Sequence, residues 1–288
     1  MESSTSSAPW IVRGLNLSEL DSTSPEELEG FRETERTTHG FLLPSYDLLV
    51  AGGRADVVKR WFTQMIHFFN TEESTNVGGL LHLHLYAITG YIEGAVYEIT
   101  NGRQSRAANM EIFALAFLHS PSGGLSEVAH AVEKYLLHEY EEPEAPFIWP
   151  EGWAPDPDFF KAGLNFSAPE MLPGELEMIE EWYERVTGEV PRYVRFLGQF
   201  RPHLLKGYRN RFENTIRVLP KQIMPFILLH YECYRGHEEG IRDAVLLAKG
   251  FGLTRTQTVD PIVRAMLYGA HGAVSNADRA AGDLLRNW

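Results

Sequence analysis

An internal repeat constrains the fold of this chain more than any other feature of its sequence. The segment HLYAITGYIEG, which begins at His84, aligns without a gap with HYECYRGHEEG, which begins at His230. The identical pairs, each 146 positions apart, are His84 and His230, Gly90 and Gly236, Glu93 and Glu239, and Gly94 and Gly240. Looser matches flank both segments in the same order. The repeat predicts a chain built from two diverged copies of one unit.

Both copies have the periodicity of helices, with apolar residues at three- and four-residue spacing and no convincing alternating run. Examples are 107–118 and 259–268, the second with Thr258 as its expected cap and Pro261 in its first turn. We therefore predict an all-α fold, a tandem duplication of one helical unit. The expected parts are a partly disordered leader (1–38), a first, degenerate helical repeat (39–140), a strap rich in proline, acidic and aromatic residues (141–174) and a second helical repeat (175–288).

Charge and composition limit the kinds of partner that the protein can bind and the cellular compartment in which we expect it. The net charge of −13 and the lack of a Lys/Arg cluster make nucleic acid and anionic membranes poor partners. No window approaches the roughly 18 apolar residues of a membrane span, and the N-terminus lacks a signal-peptide core. Cys233 is the only cysteine, which excludes an internal disulfide. We predict a cytoplasmic protein that acts on a small-molecule substrate and that could assemble as a homo-oligomer.

The candidate catalytic residues lie on one predicted helix face of the second copy. At about 100° per residue, His230, Cys233 and His237 share an apolar stripe with Tyr234. Polar groups on such a stripe need partners, so the three could form a metal site, a thiolate–imidazole pair or an acid–base pocket. Alternatively, each histidine is a core residue bonded to a neighbouring carbonyl. The opposite face, predicted to be solvated, carries Glu232, Arg235, Glu239 and Asp243.

The first copy offers an analogous set, for which we favour a structural role. It consists of His84, Tyr91 and Glu98, which continue the inward stripe of that copy. His271 stands near the end of a late helix and could reach the pocket. Together with Tyr234, these residues are the candidate substrate-binding groups. No metal ligand or cofactor is assigned, and no Gly-rich nucleotide motif is present.

The second copy resembles the alkylhydroperoxidase D-like superfamily, which includes the carboxymuconolactone decarboxylases. The resemblance rests on TGEVPRYVRFL from Thr187, LPKQIMPFILLHYECYRGH from Leu219 and AVLLAKGFGLT from Ala244, in that order. It implies an all-helical fold and assembly into oligomers. Peroxidase members carry a Cys-x-x-Cys, a later histidine and an earlier glutamate; the corresponding positions here hold His237, Gly240, Ala244 and Met224. The two-thiol reaction therefore cannot run.

The resemblance implies a cofactor-independent acid–base enzyme, a decarboxylase, lyase or isomerase acting on a small organic acid or lactone. His237 would transfer the proton, and His230 would orient it or bind the substrate. Three alternatives stay open. They are a non-catalytic binding or scaffold protein that kept the fold, a metal-dependent enzyme that uses His230 and His237, and a single-thiol, peroxidase-like enzyme that uses Cys233.

Overall fold

The chain is helical wherever its structure is described. A computed structural model describes residues 16, 18–39, 44–69, 77–102, 104–120 and 124–288. These residues form fourteen α-helices and no β-strand, which confirms the predicted all-α class. None of the described helices has the length and apolar character needed to cross a bilayer. Contacts divide the chain into two compact units, residues 1–75 and 76–288.

The first unit contains three helices, α1 (Pro25–His39), α2 (Pro44–Ala51) and α3 (Ala55–Phe69). Helix α1 begins with a capping box, because the Glu27 amide donates to Ser24 Oγ and the Ser24 amide donates to the Glu27 carboxylate. Inside the unit, the rings of Phe31 and Phe62 stack at 5.3 Å. The fully buried Lys59 ammonium lies 2.7 Å from Glu27 Oε1, so its charge is paired.

The second unit contains the remaining eleven helices. They are α4 (Gly78–Thr89), α5 (Ile92–Asn101), α6 (Arg106–His119), α7 (Leu125–Glu133), α8 (Glu175–Thr187), α9 (Arg192–Phe200), α10 (Pro202–Asn214), α11 (Ile223–Arg235), α12 (Glu238–Gly250), α13 (Arg255–Arg264) and α14 (Met266–Arg286). A π-helical turn, Lys134–His138, extends α7. The predicted helix 107–118 corresponds to α6. The predicted helix 259–268 falls on the end of α13 and the start of α14, so its helical character is confirmed, but its predicted start is wrong. Thr254, not Thr258, caps α13 through a capping box with Gln257.

Two sets of four helices within this unit have the same local arrangement. In the first bundle, α4 packs against α5, α6 and α7; in the second bundle, α11 packs against α12, α13 and α14. Helices α4 and α11 also pack against each other. Each central helix ends at a left-handed glycine, Gly90 with φ 84° and Gly236 with φ 67°. The left-handed conformation favours glycine, which has no Cβ, and it turns the chain sharply into the next helix.

The segment 139–174 connects the first bundle to α8 without forming a long helix. Its prolines prevent one, and only a 3₁₀ turn, Pro157–Phe160, interrupts the irregular path. Trp153 and Phe160 are buried in the main core. The backbone carbonyls of Phe159 and Phe160 accept hydrogen bonds from Trp182 Nε1 at 3.0 Å and Arg209 Nη2 at 2.7 Å. The segment is therefore held by specific contacts to α8 and α10.

The compact units differ from the expected division of the sequence. The expected first repeat, 39–140, is divided at residues 75 and 76, because α2 and α3 lie in the first unit and α4 to α7 lie in the second. The expected leader, 1–38, contains most of α1. Its residues 1–15 and 17 lie outside the described part of the chain.

Candidate functional site

The end of α11 decides where the candidate residues lie. The helix stops at Arg235, and the Gly236 amide donates to the carbonyl of Cys233 at 3.1 Å. His237 is the N-cap residue of α12, with φ −88° and ψ 92°, and its amide donates to the Glu232 carbonyl. The expectation that His237 continues the inward face of the same helix is therefore wrong, because the left-handed glycine redirects the chain.

The turn at Gly236 pairs His237 with a carboxylate. His237 Nδ1 lies 2.8 Å from Glu232 Oε2, and the His237 side chain is 53% exposed whereas that of Glu232 is 10% exposed. Glu232 is thus a buried partner of His237, which corrects its expected place on a solvated face. A carboxylate at Nδ1 fixes the imidazole tautomer and leaves Nε2 as the nitrogen available to a ligand.

Gly240 provides the space in which this pair fits. A Cβ at position 240 would lie 2.6 Å from both Glu232 Oε2 and His237 Nδ1, closer than side chains normally approach. Glycine in the first turn of α12 therefore lets the carboxylate reach the imidazole. This contact gives a physical reason for one glycine of the repeated motif.

His237 lines an open groove of about 450 Å³ between α9 and α12. The groove is lined by Arg192, Tyr193, Phe196, Leu197, His237, Glu239 and Asp243. Apolar and aromatic side chains dominate the α9 wall, and titratable side chains form the α12 wall. Burial first, and then the charges of Glu239 and Glu189, raise the pKa of Asp243 to about 7. The groove therefore combines a carboxylate-bound imidazole with a carboxyl group that titrates near neutrality.

His230 does not belong to this groove. It is fully buried where α11 packs on α4, and neither ring nitrogen has a hydrogen-bond partner among the described residues. On the α4 side, His84 Nε2 lies 2.9 Å from His119 Nδ1. We call His84, His119 and His230 the buried histidine seam. Burial lowers the pKa of all three, that of His119 to about 4, so the rings are neutral at neutral pH.

Cys233 packs among apolar side chains. Its side chain is fully buried in an apolar cluster with Leu229, Ile241 and Ile262. Burial first, and then the charge of Glu232, raise the pKa of the thiol to about 12. A thiol with such a pKa carries almost no thiolate at neutral pH, which removes the basis for a single-thiol reaction.

The corresponding place in the first bundle is closed by rings. Tyr86 and Tyr91 contact each other edge to face at 5.0 Å, and the Tyr268 hydroxyl donates to the Tyr86 hydroxyl at 2.8 Å. Glu98, an expected substrate-binding residue, instead lies 3.2 Å from His82 Nδ1 through Oε1, and both side chains are about one-tenth exposed. Sequence reasoning missed His82, because no local signal links it to Glu98.

The other candidates also lie outside the groove that His237 lines. Tyr234 is half-buried and His271 is exposed, and neither contributes to the groove walls. Among the residues that the structure describes, no three His, Cys, Asp or Glu side chains are arranged to hold a metal ion. Sequence reasoning missed Asp243 and the α9 wall. Gly236, a recognisable helix stop, could have revealed that Glu232 and His237 meet.

No protein-family model, curated protein or solved structure matches this chain. The resemblance of the second copy to the alkylhydroperoxidase D-like superfamily is therefore an expectation from the sequence motifs. Function is therefore argued from the contacts around His237.

Proposed function

We propose that the protein is a cofactor-independent acid–base enzyme, a decarboxylase, lyase or isomerase acting on a small organic acid or lactone in the α9–α12 groove. The observation that carries this proposal is the 2.8 Å contact of His237 Nδ1 with the buried Glu232 carboxylate at the edge of the groove. His237 is the proton-transfer residue, and Glu232 is its positioning residue.

Two physical effects follow from the pairing. The carboxylate holds the imidazole ring in one orientation, so little side-chain entropy is lost when Nε2 approaches a substrate proton. It also stabilises the imidazolium that forms when Nε2 accepts that proton, because the positive charge lies beside a buried negative one. His230 takes no part in this scheme, since it lies in the buried histidine seam.

We also propose that the two bundles arose by tandem duplication of an alkylhydroperoxidase D-like unit. The support is local geometry at aligned positions. Tyr91, with φ −83° and ψ 89°, and His237, with φ −88° and ψ 92°, both follow a left-handed glycine and begin the next helix. The same succession of four helices follows in each bundle. A departure from thiol chemistry agrees with the burial of Cys233.

Proton transfer to carbon in D₂O tests the acid–base proposal, whatever the product of the natural reaction is. A panel of lactones, 2-oxo acids and 3-oxo acids is incubated with the protein, and loss of C–H signals and release of CO₂ are followed by NMR. We expect His237→Ala to lower the rate on any accepted substrate roughly 10²- to 10⁴-fold, because general acid–base catalysis contributes that much.

The controls separate position from charge. Glu232→Gln should lower the maximal rate more than it weakens binding, since the amide keeps the shape of the side chain and loses its charge. His271→Ala removes an exposed histidine outside the groove and should leave the rate unchanged. Equal rates for His237→Ala and the unmodified protein on every accepted substrate would refute the proposal.

A further inference from the structure

The two walls of the groove favour different parts of a ligand. On α9, Phe196 is 61% exposed, and its ring centroid lies 5.0 Å from that of Phe200, which is 50% exposed. An exposed aromatic pair next to a proton-transfer group is an apolar surface against which a ligand can bury an apolar group. A ligand that reaches His237 can therefore bury an apolar substituent against Phe196.

The opposite wall is unfavourable for a carboxylate. Glu239 and Asp243 line it, and Glu189 lies close enough to raise the pKa of Asp243. The nearby cations are already paired, since Arg192 Nε lies 3.6 Å from Glu239 and Arg242 Nε lies 3.6 Å from Glu189. A carboxylate placed beside His237 would lie near the Glu239 carboxylate, and the arginine of the groove lining, Arg192, is already paired with Glu239. A neutral carbonyl compound needs no cation there.

Asp243 is suited to bind a neutral oxygen. It is half-buried and lines the groove with His237, and its carboxyl group makes no hydrogen bond or ion pair with any other described residue. His237 and Arg242 act on its charge in the opposite sense to Glu239 and Glu189, but burial and the two carboxylates dominate and raise its pKa to about 7. A carboxylic acid that keeps its proton near neutral pH can donate a hydrogen bond, as an ionised one cannot.

We propose that Asp243, as the neutral acid, donates to the carbonyl oxygen of a neutral substrate, a ketone, ester or lactone, whose apolar substituent packs on Phe196. This inference rests on the proposed function and narrows it, since it selects neutral carbonyl compounds over organic acids. Asp243 and His237 then work from the same wall of the groove, one as acid and the other as base.

The proton-transfer step balances without a cofactor. His237 Nε2 takes a proton from the carbon next to the carbonyl, and the C–H electron pair becomes a carbon–carbon double bond. The carbonyl π pair moves to oxygen, which takes the Asp243 proton. The products are an enol, an imidazolium and the Asp243 carboxylate. Return of the imidazolium proton to the same or a conjugated carbon, with return of the enol proton to Asp243, completes exchange or isomerisation.

Ligand binding tests the inference with a matched pair of probes, γ-phenyl-γ-butyrolactone and 4-phenylbutanoate, which share a phenyl group and differ in charge. Affinity is measured by ligand-observed NMR at about pH 6 and about pH 8.5. We expect the lactone to bind at least roughly tenfold more tightly than the acid, and to lose at least roughly tenfold in affinity at the higher pH as Asp243 ionises.

Three variants assign the pH effect to Asp243. Asp243→Asn keeps a donor that does not titrate, so lactone binding should persist and become independent of pH. Glu239→Gln removes one like charge, so the loss of affinity should move to lower pH. Phe196→Ser should weaken both probes, whereas Leu204→Ser, which removes an exposed apolar side chain that is not part of the groove lining, should weaken neither.

The inference is overturned if the lactone does not bind, if the acid binds equally well, or if Asp243→Asn keeps the pH dependence of the unmodified protein. These outcomes are distinct from failure of the acid–base proposal. That proposal fails when His237→Ala leaves proton exchange unchanged, whichever probe the groove binds. A pH effect that survives in Asp243→Asn cannot come from Asp243.

Discussion

The α4–α5 turn of the first bundle and the α11–α12 turn of the second have nearly the same backbone and opposite surroundings. Each passes through a left-handed glycine into an N-cap residue with closely similar dihedral angles. At the two aligned side-chain positions, the first turn carries Tyr86 and Tyr91, and the second carries Glu232 and His237. One turn thus holds an aromatic pair and the other an imidazole–carboxylate pair.

This difference shows how one backbone unit can serve either packing or chemistry. In the first bundle, the Tyr268 hydroxyl of α14 donates to the Tyr86 hydroxyl and ties the aromatic pair into the packing. The imidazole–carboxylate pair that this bundle does contain, His82 with Glu98, lies under those rings and is almost inaccessible. In the second bundle, α9 stands away from α12 and leaves His237 half-exposed. Access, more than the presence of a histidine, distinguishes the two turns.

The largest expected effect concerns His84 and His230, the aligned residues that the two copies share. In the buried histidine seam the pKa values of His84, His119 and His230 are lowered below the usual 6.5. Below about pH 6.5 the unfolded chain therefore binds up to three more protons at these histidines, whereas Asp243, whose pKa is raised to about 7, holds one more proton in the folded chain. The free energy of unfolding should be highest above about pH 7 and should fall by roughly 2–3 kcal/mol per pH unit between about pH 6 and pH 5, since the net difference is about two protons.

Denaturant titrations at several pH values measure this slope. Replacing one member of the seam, as in His230→Gln, should reduce the slope by about half, since one of about two net protons is removed from the linkage. His271→Gln, at an exposed position, should leave the slope unchanged. A slope that is the same in all three proteins would show that the seam does not govern acid stability.

The next effect is a difference in stability and activity between Gly94→Ala and Gly240→Ala, the two aligned glycines in the first turns of α5 and α12. A Cβ at Gly94 would lie 2.5 Å from the Tyr91 ring, so Gly94→Ala should force two packed rings apart and cost about 1–3 kcal/mol of stability. In Gly240→Ala the half-exposed His237 can swing toward solvent, and better helix propensity returns up to about 1 kcal/mol. We expect a smaller loss of stability in this variant and a larger loss of proton transfer.

Thermal unfolding and the D₂O exchange assay, applied to both variants, make the comparison quantitative. Gly94→Ala is the matched control for Gly240→Ala, because each adds the same methyl group at the same aligned position. If both variants lose stability equally and neither changes proton exchange, the two turns are equivalent and the proposed division of roles is wrong.

The smallest effect is expected at Cys233. Because the thiol is buried and burial raises its pKa to about 12, iodoacetamide at neutral pH should not modify the folded protein. Cys233→Ala should leave proton exchange unchanged and cost about 1 kcal/mol, as expected for loss of one small buried atom. Rapid alkylation of the folded protein, or loss of proton exchange in Cys233→Ala, would contradict this prediction and indicate that the thiol takes part in the reaction.

The helical class and many helix ends could be predicted from the sequence because their causes are local. Apolar spacing indicates α6, and glycine or proline stops several other helices. The prediction fails where two local signals compete. Thr258 and Thr254 both stand before helical sequence, and only Thr254 has a glutamine three residues later to complete a capping box.

The site could be predicted only in part, because its decisive contacts are long-range. The sequence singles out His237, but a straight helical wheel through Gly236 places it with His230 and places Glu232 on a solvated face. The glycine turn reverses both assignments. The α9 wall of the groove and the His84–His119 contact join segments that no sequence periodicity relates, so only tertiary structure reveals them.

The packing of α4 on α11 also has a consequence for the order of events during synthesis. Helix α4 ends at Thr89 and α11 ends at Arg235. A ribosome that adds about 5–20 residues per second therefore needs roughly 7–30 seconds to complete the second surface after the first. Throughout that interval the nascent first bundle exposes the face of α4 that carries His84. Burial of that face is a late event in the life of the chain, and until then the half-made protein presents an apolar surface to any other chain nearby.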